Sequence, residues 1–404
     1  GQARFHYSQA ISYDIMRILL FIPKDTYDIA TNKELVTMLA SYLNKWGDTV
    51  VAHLYKPGLL DGVTLVHVFG CWRTEASRVI SKATQLDIPT VFSPLGGLEP
   101  WIMQGQRLRR QLLTSTYQRK MTRKASAVHL CGRYEHSTFA KLKWNCRTAI
   151  IKNPTLTSQL SPEEMGASVM ELYQKVLDSN VNMLISPKAV KALRCILYAS
   201  VCRDIAGKPR MFSEAKADIE AIDDTDWRNI CLYAADEHVA DFVRNGAEVM
   251  GITRTFVTLN PSMRFGHDYG YNDGDIPCDD VISNNIMLRS KMEDIASDDE
   301  QRERVICTMV LNIKYELTHG TLPLRHAMNL LESLMQGNFD EDRLRSMLAA
   351  TGALTFMRHL EGAMSTIAGL GEGFMPVTPR YGKQADKIAT RIMKLKNIQK
   401  NDYS

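Results

Sequence analysis

A histidine within a short apolar run is the residue most able to act as a general base in this chain. His67 lies in the run Leu65 to Phe69, which is followed by Gly70, Cys71 and Trp72. We expect His67 at the carboxyl end of a strand, where parallel sheets place ligands, and predict that it deprotonates a substrate hydroxyl. The other interpretation is a satisfied structural histidine. The sequence leaves both open.

A second group of candidate residues surrounds a glycine turn that joins a buried strand to a helix. Ile88 to Phe92 is a short apolar run typical of a strand covered on both faces. The glycines that follow let the backbone approach a ligand closely. A plain strand-to-helix turn, core aromatics and a carboxylate at a helix start are the structural alternatives. The predicted substrate-binding residues are Gly70, Cys71, Trp72, Ser93, Gly96, Gly97, Glu99, Trp101 and Glu135.

Positive charge is concentrated in the first part of the chain. Residues 16–154 contain 20 Lys and Arg against 9 Asp and Glu, whereas residues 155–404 contain 28 against 35. Seven of the basic residues fall at 106–124, interleaved with apolar residues at helical spacing, so this segment predicts a basic amphipathic helix. Its charged side is either a solvated face or a surface that contacts an anionic membrane. In the second case the contact residues are Arg107, Arg109 and Arg110.

The order of the predicted elements indicates the fold class. Short β-branched runs alternate with amphipathic segments in residues 16–154, which predicts a parallel sheet with helices on both faces, a Rossmann-like layer. After Pro154 the spacing becomes helical nearly throughout, with Ser161 and Ser186 before proline as helix starts. The expected fold is therefore α/β, a Rossmann-like domain followed by a mainly α-helical region at 155–404. The strands are expected at 17–23, 48–54, 63–69, 88–92, 127–131 and 148–152.

The length of 404 residues favours two domains. The composition, 45% hydrophobic and 23% charged, is that of an ordinary globular protein. The 8 cysteines include no Cys-x-x-Cys pair, so we expect reduced thiols and no metal site. Because no membrane span or signal peptide is visible, a cytoplasmic protein is expected. Nucleic acid is not an expected partner, because no recognised binding module accompanies the charge. Residues 1–15 are expected to be a flexible extension, and 252–278 a turn-rich linker between two helical groups.

Five segments, in order, resemble the amino-terminal domain of family 4 glycosyltransferases of the GT-B type. They read MRILLF at 16–21, LVHVFGCW at 65–72, IPTVFSPLGGLEPW at 88–101, RKASAVHLCGRYE at 123–135 and AIIKNP at 149–154. The resemblance implies that this domain holds a saccharide or lipid-linked acceptor. It also implies a second Rossmann-like domain after Pro154, which holds a nucleotide-sugar donor without a further cofactor. The activity it implies is sugar transfer in surface polysaccharide or glycolipid assembly. Membrane contact through the basic segment at 106–124 would place the protein at the inner membrane face.

Two positions depart from the family pattern. Leu95 stands where related loops place a histidine or arginine, and it can neither take a proton nor hold a phosphate. Residues 24–32 lack the glycine pair that usually lies beside the donor diphosphate. Two functions therefore remain open. One is a divergent glycosyltransferase, and the other is a non-catalytic binding or interaction protein that keeps only the acceptor-type domain.

Overall fold

The computed structural model describes residues 16–98, 117–202, 209–257, 264–265, 279–295, 302–395 and 398. The chain divides into two compact units. The first runs to Leu184 and includes Arg264 and Phe265, and the second contains the remaining described residues from Ile185 onward.

The first unit is built on a parallel sheet, as the alternating pattern predicted. Its order is β2-β1-β3-β4-β5-β6, and every neighbouring pair is parallel. Each strand lies within or close to its expected range. The strands are β1 (Arg17–Phe21), β2 (Asp48–Ala52), β3 (Leu65–Phe69), β4 (Thr90–Ser93), β5 (Ala127–Leu130) and β6 (Thr148–Ile150).

Helices cover both faces of this sheet. The helices of the unit are α1 (Lys24–Tyr27), α2 (Ala30–Leu43), α3 (Thr74–Gln85), α4 (Arg119–Lys124), α5 (Arg133–Leu142), α6 (Pro162–Asp178) and α7 (Val181–Leu184). Buried residues of α2 and α6 pack on one face, and those of α3, α4 and α5 pack on the other. Both faces of the central strands are therefore in an apolar core, which explains their nearly continuous hydrophobic sequences.

The pleat of β1 shows how the sequence separates the two cores. Ile18 and Leu20 point to the α2 and α6 side, whereas Leu19 and Phe21 point to the opposite side. Successive strand residues face opposite ways, so one apolar run supplies both layers. The same alternation on β3 sends Leu65 and Phe69 to the α2 and α6 side. Position 67 must share that side.

Helix α6 extends the sheet unit past the change of periodicity at Pro154. It begins with a capping box, because the Ser161 hydroxyl accepts from the Glu164 N–H and the Glu164 carboxylate accepts from the Ser161 N–H. Pro162 occupies the first helical position, where its missing N–H costs nothing. The helix buries Val169, Tyr173 and Val176 against the sheet.

The regular secondary structure in the described residues of the second unit is all helical. Its helices are α8 (Pro187–Val201), α9 (Pro209–Glu220), α10 (Asp224–Asp236), α11 (Ala240–Val249), α12 (Ile286–Ile295), α13 (Arg302–His319), α14 (Leu324–Gln336), α15 (Glu341–Ala350), α16 (Leu354–Ala368) and α17 (Lys383–Met393). The helical region expected after Pro154 is thus confirmed. His238 lies between α10 and α11 and Gly352 lies between α15 and α16, and both residues have positive φ angles. None of the helices in the described ranges has the length and apolarity that a membrane crossing needs.

Candidate ligand site at the carboxyl edge of the sheet

The strand order locates the edge where an open parallel sheet binds ligands. The chain passes from β1 outward to β2 and then returns to β3 on the other side of β1. The loops that follow β1 and β3 therefore diverge, and ligands of such sheets bind in the crevice this leaves at the carboxyl ends of the strands. The residues around this crevice are 22–26 after β1 and 70–73 after β3.

His67 does not lie at that edge, so the expected position at the end of β3 was wrong. It is the central residue of the strand, paired in register with Leu20 and Val91, and is 0% exposed. Its ring stacks on Phe69 with centroids 4.1 Å apart. Strand alternation directs it into the core between the sheet and α6, which no sugar reaches.

Both ring nitrogens of His67 are bonded inside the protein. Nδ1 lies 2.7 Å from the hydroxyl oxygen of Tyr173, and Nε2 lies 2.9 Å from Oγ of Ser93. A neutral imidazole has one donor and one acceptor nitrogen, and a hydroxyl can fill either role, so both contacts are satisfied together. Burial, followed by the charge effect of His129, lowers the pKa of His67 well below its ordinary value. These contacts are those of a structural histidine, the second interpretation of His67.

Ser93 and His129 complete a buried polar cluster with His67 and Tyr173. Ser93 was expected to contact the substrate, but it is fully buried and its hydroxyl is hydrogen-bonded to His67. The His129 ring centroid is 5.5 Å from that of His67, and its Nε2 is 3.0 Å from the Ile151 carbonyl oxygen. Burial lowers the pKa of His129 to about 4, so this ring is uncharged at neutral pH. Burial likewise raises the pKa of the Tyr173 hydroxyl, which stays protonated.

Glu135 ties the glycine turn after β4 to the start of α5. Its carboxylate is 3% exposed and accepts from the Gly96 N–H at 2.8 Å and from the Cys131 N–H at 2.7 Å. The Gly96 N–H is therefore occupied by a protein carboxylate, although we expected it to face a sugar or phosphate. Leu95 beside it has a φ of 53°, a strained angle for a leucine, and packs on the core below. The turn is a closed structural element.

Trp72 and its neighbours form a second closed turn. The Trp72 backbone N–H donates to Oε1 of Gln118, and its indole N–H donates to the Gly97 carbonyl, both at 2.9 Å. A Cβ added to Gly97 would lie 2.8 Å from that of Cys71, so only glycine fits between the two loops. Cys71 is itself buried. Trp72 is half-buried against the core, which favours the structural interpretation of this aromatic over stacking on a sugar.

The crevice between β1 and β3 retains exposed polar groups. Asp25 and Arg73 form an ion pair of 2.8 Å between the two loops, with side chains 56% and 44% exposed. Gly70 follows β3 with a φ of 89°, and a Cβ there would lie 2.9 Å from the Thr26 side chain. The loops therefore touch at Gly70, whereas the ion pair at their rim is accessible to solvent. A hydroxyl-rich ligand could replace the partners of either charged group here.

Several predicted residues cannot be placed. Glu99, Trp101, Arg107, Arg109 and Arg110 lie outside the described residues. The described end of the basic segment is helical in α4, where the charged side chains are exposed and Met121 and Thr122 are buried.

Tyr173 and Gln118 were not identified from the sequence as partners of the candidate residues. Tyr173 lies on a helix far along the chain from His67, so only the packing of α6 on the sheet brings them together. Gln118 lies in the segment predicted as a basic amphipathic helix, where it is fully buried and accepts from the Trp72 N–H. Within the described ranges, no three His, Cys, Asp or Glu side chains are arranged to hold a metal ion. Burial and then the Glu135 charge raise the pKa of the Cys131 thiol to about 12, so this thiol is not a ready nucleophile.

No family model, curated protein or solved structure matches this chain. The likeness to family 4 glycosyltransferases thus rests on the five segments at 16–154 alone. The geometry of the sheet unit provides evidence on function that does not depend on this likeness.

Proposed function

We propose that this chain binds a saccharide, or an acceptor that carries one, in the crevice between β1 and β3, and does not transfer a sugar to it. The observation that carries the proposal is the position of His67. The residue best suited to activate an acceptor hydroxyl is inside the core, with Tyr173 and Ser93 on its two nitrogens. General-base catalysis requires a group within hydrogen-bond reach of the substrate proton.

Two further observations support a binding role. Glu135 occupies the Gly96 N–H, which in a catalytic loop would be free to stabilise charge that develops on the substrate. The chain that follows Ile150 forms helices in its described parts, where the resemblance implies a second Rossmann-like sheet for the donor. Saccharide binding requires neither a free Gly96 N–H nor a second sheet for the donor. Exposed charged side chains such as Asp25 and Arg73 suit hydroxyl recognition.

The test compares two arginines near the start of α3. Arg73 pairs with Asp25 at the crevice, whereas Arg78 is exposed on the same helix. Oligosaccharides from a mixed panel should raise the Tm of the wild type and of Arg78→Gln, and raise it much less for Arg73→Gln. Equal shifts in both variants would place binding away from this crevice.

Glycosyl transfer is the competing function, and turnover distinguishes it. The chain should release no nucleoside diphosphate from UDP-, GDP- or dTDP-sugars when an oligosaccharide that binds is present. Release that depends on the oligosaccharide would establish a glycosyltransferase and overturn the non-catalytic proposal.

A further inference from the structure

A groove lies at the opposite, amino edge of the same sheet, beside β5 and β6. It is formed by the connection from α4 to β5, the connection from α5 to β6 and the residues after α6. Its volume is about 710 Å³, within the usual range for a small-ligand site. All of its lining residues belong to the first unit.

The lining is strongly cationic. The groove is bordered by Arg123, Lys124, Lys143 and Arg147, together with His136, and its lining includes no Asp or Glu. Arg123, Lys124 and Lys143 have exposed side chains. These three side chains make no hydrogen bond or ion pair with any residue that the structure describes. Cations with no internal acid remain available to an external anion.

The backbone of the groove is fixed by a single asparagine. Nδ2 of Asn145 donates to the Thr122 and Ala125 carbonyls at 3.0 and 2.8 Å, and its Oδ1 accepts from the Arg147 N–H at 2.9 Å. These bonds join the end of α4, where Arg123 and Lys124 lie, to the connection that contains Lys143 and Arg147. They also satisfy one carbonyl in the last turn of α4.

Arg147 is held in place at the inner wall of the groove. One terminal nitrogen of its guanidinium lies 3.3 Å from Oδ1 of Asn180 and 3.4 Å from the Ser179 carbonyl. A guanidinium that is already oriented by such contacts loses little side-chain entropy when it binds an anion. Lys143, which ends α5 in the left-handed conformation, lies on the same groove.

From this arrangement we propose that the groove binds phosphate groups, either of a small soluble ligand such as a diphosphate or of a lipid headgroup. Several cations converge on one pre-formed space, and charge-assisted bonds from arginine and lysine are the strongest that a phosphate receives. The site is separate from the crevice at the carboxyl edge, so it does not depend on the saccharide proposal.

The soluble source is tested with inorganic pyrophosphate at low salt. Cys146 lines the groove and is exposed, which makes its alkylation a direct reporter of occupancy. Pyrophosphate should slow alkylation of Cys146, measured by mass spectrometry of its peptide. In Arg123→Gln/Lys143→Gln, calorimetry should show binding weakened about tenfold or more, because two charge-assisted contacts are lost. The matched control is Lys33→Gln/Lys82→Gln, which removes the same charge from exposed helix positions of this unit.

The lipid source is tested by flotation with phosphatidylglycerol and phosphatidylcholine vesicles. If the groove variant loses binding to phosphatidylglycerol vesicles and the control variant keeps it, the result supports the proposal, with a lipid headgroup as the ligand. The proposal is overturned if pyrophosphate leaves Cys146 alkylation unchanged and the groove and control variants bind vesicles equally. Arg73→Gln should bind pyrophosphate normally, which separates this result from failure of the saccharide proposal.

Discussion

The two edges of the sheet use their polar groups in opposite ways. At and below the carboxyl edge, the imidazole of His67, the carboxylate of Glu135 and the indole of Trp72 are all bonded to other parts of the protein. At the amino edge, Arg123 and Lys143 are exposed and lack such bonds in the described structure. A polar residue in the expected place is therefore not sufficient evidence for a site, because its existing partners decide whether it can serve a ligand.

This contrast assigns different consequences to substitutions at the two edges. Replacing a group that is buried and paired costs folding free energy, because its partners stay buried without bonds. Replacing an exposed, unpaired cation typically changes stability by less than about 0.5 kcal/mol and alters binding instead.

The largest effect is expected for His67→Ala. The substitution removes a buried ring and leaves the Tyr173 and Ser93 hydroxyls without their partner, so the free energy of unfolding should fall by about 3–5 kcal/mol. Tyr173→Phe removes one hydroxyl only and should cost about 1–2 kcal/mol. Urea unfolding measures both. A cost for His67→Ala below that for Tyr173→Phe would contradict the structural role of this histidine.

A smaller effect is expected when the pH is lowered. Burial lowers the pKa of His129 to about 4, whereas the unfolded chain titrates near about 6.5. As the pH falls the unfolded chain therefore binds a proton first. Stability from the neutral ring is fully present above about pH 6.5, and about 2 kcal/mol of it is lost at about pH 5.

Urea unfolding over this pH range isolates the contribution of one ring when His129→Gln is compared with the wild type. The variant should lose stability less steeply than the wild type as the pH falls. Parallel pH profiles for the two proteins would show that His129 does not titrate as its burial requires.

An effect of about the same size is expected for Glu135→Gln. One carboxylate oxygen becomes an amide N–H, which would face the Gly96 or Cys131 N–H, so one donor loses its acceptor at a cost of about 2 kcal/mol. Glu75→Gln is the matched control, since Glu75 is also in the first turn of a helix but is exposed. Equal stability of the two variants would show that the turn after β4 does not depend on this carboxylate.

The sequence was sufficient to predict the sheet and the helical region, because strand and helix periods are local properties. The burial of His67 could also be predicted in part from the sequence. Leu65 and Phe69 are apolar at alternate positions, and a residue between them at the same period shares their buried face. The glycine after Phe69 favoured the interpretation that places His67 near the strand end. Its partner Tyr173 could not be predicted, since nothing local brings α6 onto the sheet.

The amino-edge groove was predictable only in part. The basic segment suggested contact with an anionic surface as one interpretation, and this stays a prediction for Arg123 and Lys124. Their grouping with Lys143 and Arg147 depends on β5 and β6 being neighbours, which places the two preceding connections side by side. Element order favours that pairing but does not fix the side-chain positions or the Asn145 bonds that hold them.

Hydrogen–deuterium exchange with and without pyrophosphate compares the two edges in one measurement. Our account predicts slower exchange of the backbone amides at 122–126 and 143–148, around the groove, and no change at 67–73 and 93–97. Slower exchange at 67–73 and 93–97 with none around the groove would contradict it, because the anion would then bind at the edge whose donors the protein already uses.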